Sequence, residues 1–220
     1  MIKATPWDGA AFGMPTFELT EYSEAALAAA ALTPGHYTVK VEPLANKALL
    51  DAHGFYYCDT LLATAGSAAR LTALDTLPGL HVSKTVDAEA SLAICHGAFS
   101  HGRFHRDFML SPAHADLRYD NWLRQLLNAG SVYGLFREQE LGGFIGVSGN
   151  SLVLHAIAPA MRGQGLAKYW WHAVIKELFA AGHETVTSSI SASNVAVVNL
   201  YASLGFSFQH PQDIYHRIVP

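Results

Sequence analysis

LVLHAIAPAMRGQGLAKYWWHAVIKELFAA, from Leu152 to Ala181, is the stretch on which the reading of the whole chain turns. An apolar run ends at Pro159, a short loop carries Arg162, Gly163, Gln164, Gly165, Leu166 and Ala167, and a segment of helical periodicity follows at once. The order is strand, glycine loop, helix. Glycines at Gly163 and Gly165 remove side chains where a backbone must come close to a ligand. The amide N–H groups of the first helical turn then point outward with the positive end of the helix dipole, which favours a diphosphate.

Upstream of this stretch, Val132–Arg137, Leu141–Ser148 and Ser151–Ile157 are three apolar runs joined by the turns EQE and GN, which predicts an antiparallel meander. Downstream, Gly182 stops the long helix, Thr185–Ile190 reads as a strand, Asn194–Leu204 as a helix ended by Gly205, and Phe206–Gln209 and Ile214–Val219 as closing strands. Before the meander, Leu80–Lys84 is a short strand. Asp87 caps a helix running to about Phe99, and Ser111-Pro112 opens a helix that ends near Gly130. The fold class is α/β, with a mixed, largely antiparallel sheet flanked by helices.

The first third of the chain echoes the last. TVKVEPLANKALLDAHGFYYC, from Thr38, parallels TVTSSISASNVAVVNLYASLGFSFQ, from Thr185, as strand, Asn, helix, Gly-Phe, strand. Read as two copies of one β-α-β unit, the first has Asp51 where the second has Tyr201 or a neighbour, so it keeps the scaffold without the chemistry. Ahead of it, Trp7-Asp8-Gly9-Ala10-Ala11-Phe12-Gly13 reads as a turn-rich packing lid, Thr16–Tyr22 as a strand and Glu24–Ala31 as an alanine-rich helix. Ala65–Pro78 is small, polar and proline-ended, and serves as the expected linker. Residues 1–78 are therefore expected to form a smaller N-terminal α/β domain with its linker, and residues 79–220 the main domain.

A chain of 220 residues, half of them hydrophobic, buries a sizeable core. No apolar segment reaches the length of about 20 residues that spans a bilayer, and MIKATPWDGAAFG lacks the apolar core of a signal peptide, so a cytoplasmic location and no membrane partner are expected. The formal net charge of −4 and the lack of any Lys/Arg cluster argue against a nucleic-acid partner. Cys58 and Cys95 fit no metal or redox spacing and read as buried free thiols. The 12 histidines are scattered. His101 and His105 share a helix face only if Gly102 between them is tolerated, and no metal site is expected.

A glycine loop after a strand suits dinucleotides, nucleoside triphosphates and coenzyme A alike, so context must decide. Neither GxGxxG with an acidic residue about 20 positions on, nor GxxxxGK[ST], occurs. Instead, Ile157-Ala158-Pro159, Arg162-x-x-Gly165-x-Ala167, Asn194 with Tyr201 seven residues on, and Gly205-Phe206 resemble the coenzyme A-dependent N-acyltransferases of the GNAT superfamily, from Val132 to Phe206. The resemblance implies a GNAT-like fold with a degenerate half-domain at the N-terminus, acetyl-CoA as co-substrate and an amine as acceptor. It implies that His155, Ala156 and Ile157 offer backbone groups to the pantetheine arm along an edge left free by a splayed neighbour. Gly163, Gln164, Gly165, Leu166 and Ala167 would hold the diphosphate, with Arg162 adding charge.

Tyr201 is the expected general acid for the departing thiolate. A phenol titrates near 10 and a thiol near 8.5, so positioning and local electrostatics must assist the donation. Asn194 is a helix cap, a ligand of the cofactor arm, or both. No Asp or Glu lies in the Leu152–Ile157 strand to serve as base. His155 and a water chain are both open for that role.

On the acceptor side, the WDGAAFG opening, AFSHGRFHRDF and the Tyr119/Trp122 helix resemble the dTDP-fucosamine acetyltransferase family of nucleotide-sugar N-acetyltransferases, which extends the likeness to nearly the whole chain. The pattern departs from that family at Ala11, where Phe is usual, and at His101, His105 and Arg106. The resemblance implies a nucleotide-linked amino sugar as acceptor. Phe99, Phe104, Tyr119 and Trp122 stack on it or belong to the core, Arg103 (with Arg106) meets its diphosphate, and Asp107 orients the amine or caps a helix. Another small amine, a protein N-terminus, or a non-catalytic coenzyme A-binding role stand as alternatives. Beyond the small-molecule amine, a second copy of the chain is the one partner entertained, as a homodimer.

Overall fold

A computed structural model describes residues 1–220. Ten strands form one sheet in the order β1-β2-β3-β10-β4-β9-β8-β7-β6-β5. They are β1 (Ile2–Ala4), β2 (Thr16–Leu19), β3 (Gly35–Val41), β4 (Tyr56–Ser67), β5 (Leu80–Ser83), β6 (Val132–Arg137), β7 (Glu140–Ser148), β8 (Ser151–Ile157), β9 (Thr185–Ser191) and β10 (Ser207–Val219). The helices are α1 (Pro6–Phe12), α2 (Glu24–Ala30), α3 (Ala48–Ala52), α4 (Ala88–Cys95), α5 (Pro112–Asn128), α6 (Ala167–Ala180) and α7 (Val195–Ser203). All strand pairs are antiparallel except β2–β3 and β8–β9, so the sheet is mixed and largely antiparallel, as the meander and the single crossover in the sequence predict.

The two echoing segments are β3-α3-β4 and β9-α7-β10, and they interlock. β10 lies between β3 and β4, and β4 lies between β10 and β9, so each unit's closing strand is inserted into the other. Their helices start beside an Asn that accepts from a nearby amide and end on the same backbone bond. Asn46 Oδ1 accepts from Ala48 N as Asn194 Oδ1 accepts from Val197 N, and Phe55 N donates to Leu50 O at 2.8 Å as Phe206 N donates to Tyr201 O at 3.1 Å. Counted back from the glycine that ends each helix, the counterpart of Tyr201 is therefore Leu50 rather than Asp51.

The sheet runs unbroken past the boundary drawn at residue 78. Ala65–Ser67 belongs to β4, and the rest of the expected linker is packed: Leu71 and Leu74 rest on the core under α6, and Thr72 N donates to Leu204 O at 3.2 Å. The opening WDGAAF is a helix with Pro6 at its start rather than a turn-rich lid. It buries Ala11 and Phe12 in the core formed by α4 and α5, and Asp8 accepts from Arg118 Nε at 2.7 Å. The two expected closing strands are one strand with a register shift between Gln209 and Gln212.

One apolar core, centred on Trp170, Trp171, Val174 and Ile175, fills the space between the sheet and α6 with α7. A second lies between the other face and α1, α4 and α5, and a third, around Leu27, Tyr37 and Leu50, belongs to the N-terminal elements. Cys58 and Cys95 are buried free thiols.

Candidate active site

The site begins where β8 and β9 part. Their parallel pairing consists of Ser151 with Thr187 and Leu152 with Ser188, after which the strands diverge. The divergence coincides with a bulge: Val147 pairs with Leu152 and Gly146 with Leu154, leaving Val153 as an extra residue in β8. The bulge sends Leu152 into the α6/α7 core and Leu154 into the α4/α5 core, although strict alternation would put both on one face. It also turns His155 toward Trp171 and Tyr201, with ring centroids at 5.0 and 6.1 Å.

Beyond the bulge, β8 is bonded on its β7 side only. Ala158 N donates to Gly142 O at 2.9 Å, and this rung sets the antiparallel alternation, with Ala156 bonded to Phe144 and the N–H and C=O groups of His155 and Ile157 turned to the open edge. Of the three residues expected to pair with a pantetheine arm, Ala156 therefore has its backbone groups engaged with β7. His155 and Ile157 face the gap. Arg162 Nε already donates to Ile157 O at 2.9 Å, which anchors the start of the glycine loop to the end of β8 and leaves the rest of that guanidinium to meet charge.

In that loop Gly163 and Gly165 have φ of 74° and 73°, left-handed conformations that disfavour a Cβ. The amides of Gly163, Gln164, Gly165 and Leu166 make no hydrogen bond within the protein, and Leu166 at the start of α6 provides no side-chain cap. Ala167 opens the helix, so its N–H is also among the donors left over at a helix start. Gln164 bridges Ala160 O and Arg137, holding the loop in shape rather than reaching outward. Asn194 caps α7 through its side chain at 3.3 Å from Val197 N.

Tyr201 is fully buried in the gap between the parted strands, its hydroxyl 3.5 Å from His155 Nε2. Burial pushes its phenol up to about 12, and the polar groups of Ser188 and Trp171 nearby pull it only part of the way back. Burial likewise depresses His155 to about 4, so the imidazole is neutral near pH 7 and too weak a base to take a proton from an ammonium group. Trp171 Nε1–H is buried without a partner, and Ser188 Oγ donates to Leu152 O at 2.8 Å on the last paired rung. Neither residue was singled out from the sequence. The signal for Trp171 lay in its spacing on α6, which matches core packing equally well.

The expected acceptor-side residues divide. Phe104 is buried against Phe12 and His216, with centroids at 5.1 and 5.7 Å, and so is core rather than a stacking platform. Tyr119 carries Phe99 at 4.5 Å and His105 at 5.8 Å in stacked contacts, which also occupies the inward ring of Phe99. Arg103 lies over Phe104 at 4.7 Å. Trp122 keeps access: with Trp7, Arg118, Asn121 and Gln125 it lines a cavity of about 270 Å³.

Asp107 neither caps a helix nor keeps an oxygen free for an amine. Its Oδ2 accepts from His36 Nε2 at 3.0 Å and His216 Nδ1 at 2.8 Å, and its Oδ1 from Tyr56 at 2.8 Å and Met109 N at 2.9 Å. Burial opposes its charge, but these donors prevail and hold the carboxyl below the usual range, while burial lowers His216 to about 3. The ligand atoms of His36, Asp107 and His216 lie within 4.8 Å of one another, a cluster of metal-binding residue types that spacing in the sequence does not reveal. With every Asp107 lone pair matched to a donor, it works as a knot tying β3, β4 and β10 to the segment before α5.

The profile of the acetyltransferase (GNAT) family matches residues 102–206, from the segment before α5 to the Gly-Phe after Tyr201. The spore coat polysaccharide biosynthesis protein SpsD of Bacillus subtilis (strain 168) is 26% identical over 136 residues, 59% of this chain and 47% of that protein, so the chain spans about half the length of this curated relative. Among solved structures, a GCN5-related N-acetyltransferase from Sphaerobacter thermophilus is similar over 99% of this chain and 76% of that one, at 12% identity and a TM-score of 0.68. A putative acetyltransferase of the GNAT family from Novosphingobium aromaticivorans is similar over 94% and 84%, at 20% identity and a TM-score of 0.57. These likenesses fix the fold. No helix is long and apolar enough to cross a membrane.

Proposed function

We propose that this chain is an acyl-CoA-dependent N-acetyltransferase of the GNAT type acting on an amino sugar carried by a nucleotide, whose diphosphate Arg103 and Arg106 suit. The acetyl donor is acetyl-CoA, and the amine attacks the thioester directly. The observation that carries the reading is the buried phenol of Tyr201 in the gap between β8 and β9, beside a glycine loop whose amides are unbonded. In this reading the loop amides from Gly163 to Ala167 hold the diphosphate, the open edges of His155 and Ile157 align the pantetheine arm, and the thioester sulfur lies within reach of Tyr201.

Two observations support the sugar. The relative from Bacillus subtilis is named for polysaccharide biosynthesis. The cavity at Trp7 and Trp122 pairs indole rings with the amides of Asn121 and Gln125 and the guanidinium of Arg118, a lining suited to a polar ring that stacks and hydrogen-bonds. The test is release of free thiol from acetyl-CoA with a panel of nucleotide-linked amino sugars, polyamines and N-terminal peptides. Turnover with the sugars alone is the expected result. Turnover confined to polyamines or peptides overturns the acceptor, and acetyl-CoA binding with no release on any amine overturns catalysis.

A further inference from the structure

The β8 strand contains no carboxylate, and His155 is too weak a base, so the reaction described above lacks a group to receive the amine's proton. The geometry points to Asp59, from β4 in the N-terminal part of the chain, as the residue that binds the acceptor amine and accepts its proton through Oδ2.

Asp59 is placed by a bulge. Ile214 pairs with Asp59 and Tyr215 with Tyr57, so Cys58 is an extra residue in β4. The bulge turns Asp59 to the face already occupied by Tyr56, where the segment between α4 and α5 packs: Tyr56 bonds Asp107 there, and Arg106 Nη1 reaches Asp59 Oδ1 at 2.8 Å. The position is at the open end of the gap. β9 leaves β8 after Ser188 but stays paired with β4 to its last residue, Ser191 opposite Leu61, and the Ser191 hydroxyl donates to Asp59 Oδ1 at 2.7 Å. Asn194, three residues after Ser191, caps the helix that carries Tyr201.

The two carboxylate oxygens are unequal. Oδ1 accepts from Arg106, from Ser191 and from Thr60 N at 2.9 Å, whereas Oδ2 is buried with no donor in the protein, on a residue with 0% exposure. A buried carboxylate oxygen with no donor is costly, and an ammonium group is the partner that removes the cost. Arg106, with 34% of its side chain in solvent, is the group over it that can move. Burial also raises Asp59 above its ordinary value, partly offset by Ser191, Arg106 and Arg103, which makes it a better proton acceptor than a surface carboxylate.

The role rests on the acetyl-transfer reading above. Asp59 takes one proton from the bound ammonium group and so frees the nitrogen lone pair; as that nitrogen bonds to the thioester carbonyl carbon and the C–S bond breaks, Tyr201 gives its phenol proton to the thiolate and the nitrogen's second proton passes to solvent. Solvent then returns Asp59 to its carboxylate and Tyr201 to its phenol. The charged and titratable groups facing Asp59 are Arg103 and Arg106 from the covering segment, Tyr119 from α5 and Cys58 beside it.

Asp59→Asn keeps the Oδ1 contacts and removes the base. It is expected to lower kcat/KM about 100-fold at neutral pH and to abolish the acidic limb of the pH profile, while acetyl-CoA binding stays at the wild-type level. Ser191→Ala, which keeps the carboxylate and removes one donor to it, is expected to move that limb to higher pH. Wild-type kcat/KM and profile in Asp59→Asn overturn the role, and if Asp59→Asn loses acetyl-CoA binding through misfolding, an unmoved limb in Ser191→Ala overturns it instead. Both comparisons are made on whichever amine the wild type acetylates, so a wrong acceptor class leaves them standing, and a wild type that acetylates none overturns both readings.

Discussion

Each half of the sheet contains a parallel pair followed by a short helix, and the two pairs have opposite fates. β2 and β3 stay in register over Thr16–His36, Phe17–Tyr37, Glu18–Thr38 and Leu19–Val39, and α2 between them is capped by Ser23, whose hydroxyl accepts from Ala26 N. β8 and β9 part after two rungs, and α6 between them starts at an uncapped Leu166 behind two left-handed glycines. The closed half keeps its two parallel strands paired and its connecting helix capped. The open half leaves amides at the loop and an unpaired strand edge, and it also holds Tyr201 where the closed half holds Leu50. In the proposed reading, polar backbone left unmet beside the buried Tyr201 phenol is what would let one half of a near-repeated scaffold bind and react while the other only supports it.

The sharpest way to break this comparison is to make the open half resemble the closed one at Tyr201. Tyr201→Phe removes the proposed proton donor while keeping the ring that packs against Phe206 at 5.1 Å. Turnover is expected to fall about 100-fold with acetyl-CoA affinity nearly intact, measured by thiol release and by equilibrium binding. The cost in stability is expected to stay under about 1 kcal/mol, because the hydroxyl's partner is distant. Unchanged turnover would leave the phenol as filler, equivalent to Leu50.

The gap also has a pH signature of its own, carried by His155. His155 has an ordinary value of 6.5 and a folded value of about 4. Between those values the unfolded chain binds a proton that the folded chain refuses, so stability is lost as pH falls from about 6.5 toward 4. For this one group the loss between pH 7 and pH 5 is about 2 kcal/mol. His216 is depressed in the same direction and adds to the wild-type decline, so the measurement is the difference between wild type and His155→Gln in denaturant unfolding at the two pH values. Parallel declines in the two proteins would place the imidazole in contact with water.

The strand order of the meander, the glycine loop, the caps at Ser111, Asp87 and Asn194, and the echo between the halves are all legible in the residues, because each is local and obeys a period or a turn chemistry. What is not legible depends on bulges and on long-range partners. Alternation through Leu152–Ile157 puts Leu152 and Leu154 on one face, and only the extra Val153 reverses His155 into the gap. Phe104 and Tyr119 read as stacking candidates because nothing local reveals that Phe12, Phe99 and His105 already cover them. Asp59 was invisible for the same reason. Its neighbours Arg106 and Ser191 are 47 and 132 residues away, and the bulge at Cys58 that aims it has no signature in sequence.

The smallest test compares two glycines with the same backbone. Gly165 in the open loop has φ of 73°, and Gly54, which ends α3 in the closed half, has φ of 68°. A Cβ added at either meets nothing within 4 Å, so in both cases the penalty is conformational, about 1 kcal/mol for a non-glycine residue held left-handed. Gly165→Ala and Gly54→Ala are therefore expected to lower stability by similar amounts. They should differ in binding. At Gly165 the methyl group stands beside the unbonded amides and shifts the loop proposed to hold a diphosphate, so the KM for acetyl-CoA is expected to rise about tenfold, the equivalent of about 1.4 kcal/mol. At Gly54 the amide already donates to Asp51 O at 3.0 Å and no ligand approaches, so KM should stay at the wild-type value. Equal KM values in the two variants would mean that the diphosphate is not held by the loop, and the contrast between an open and a closed half would then reduce to Tyr201 alone.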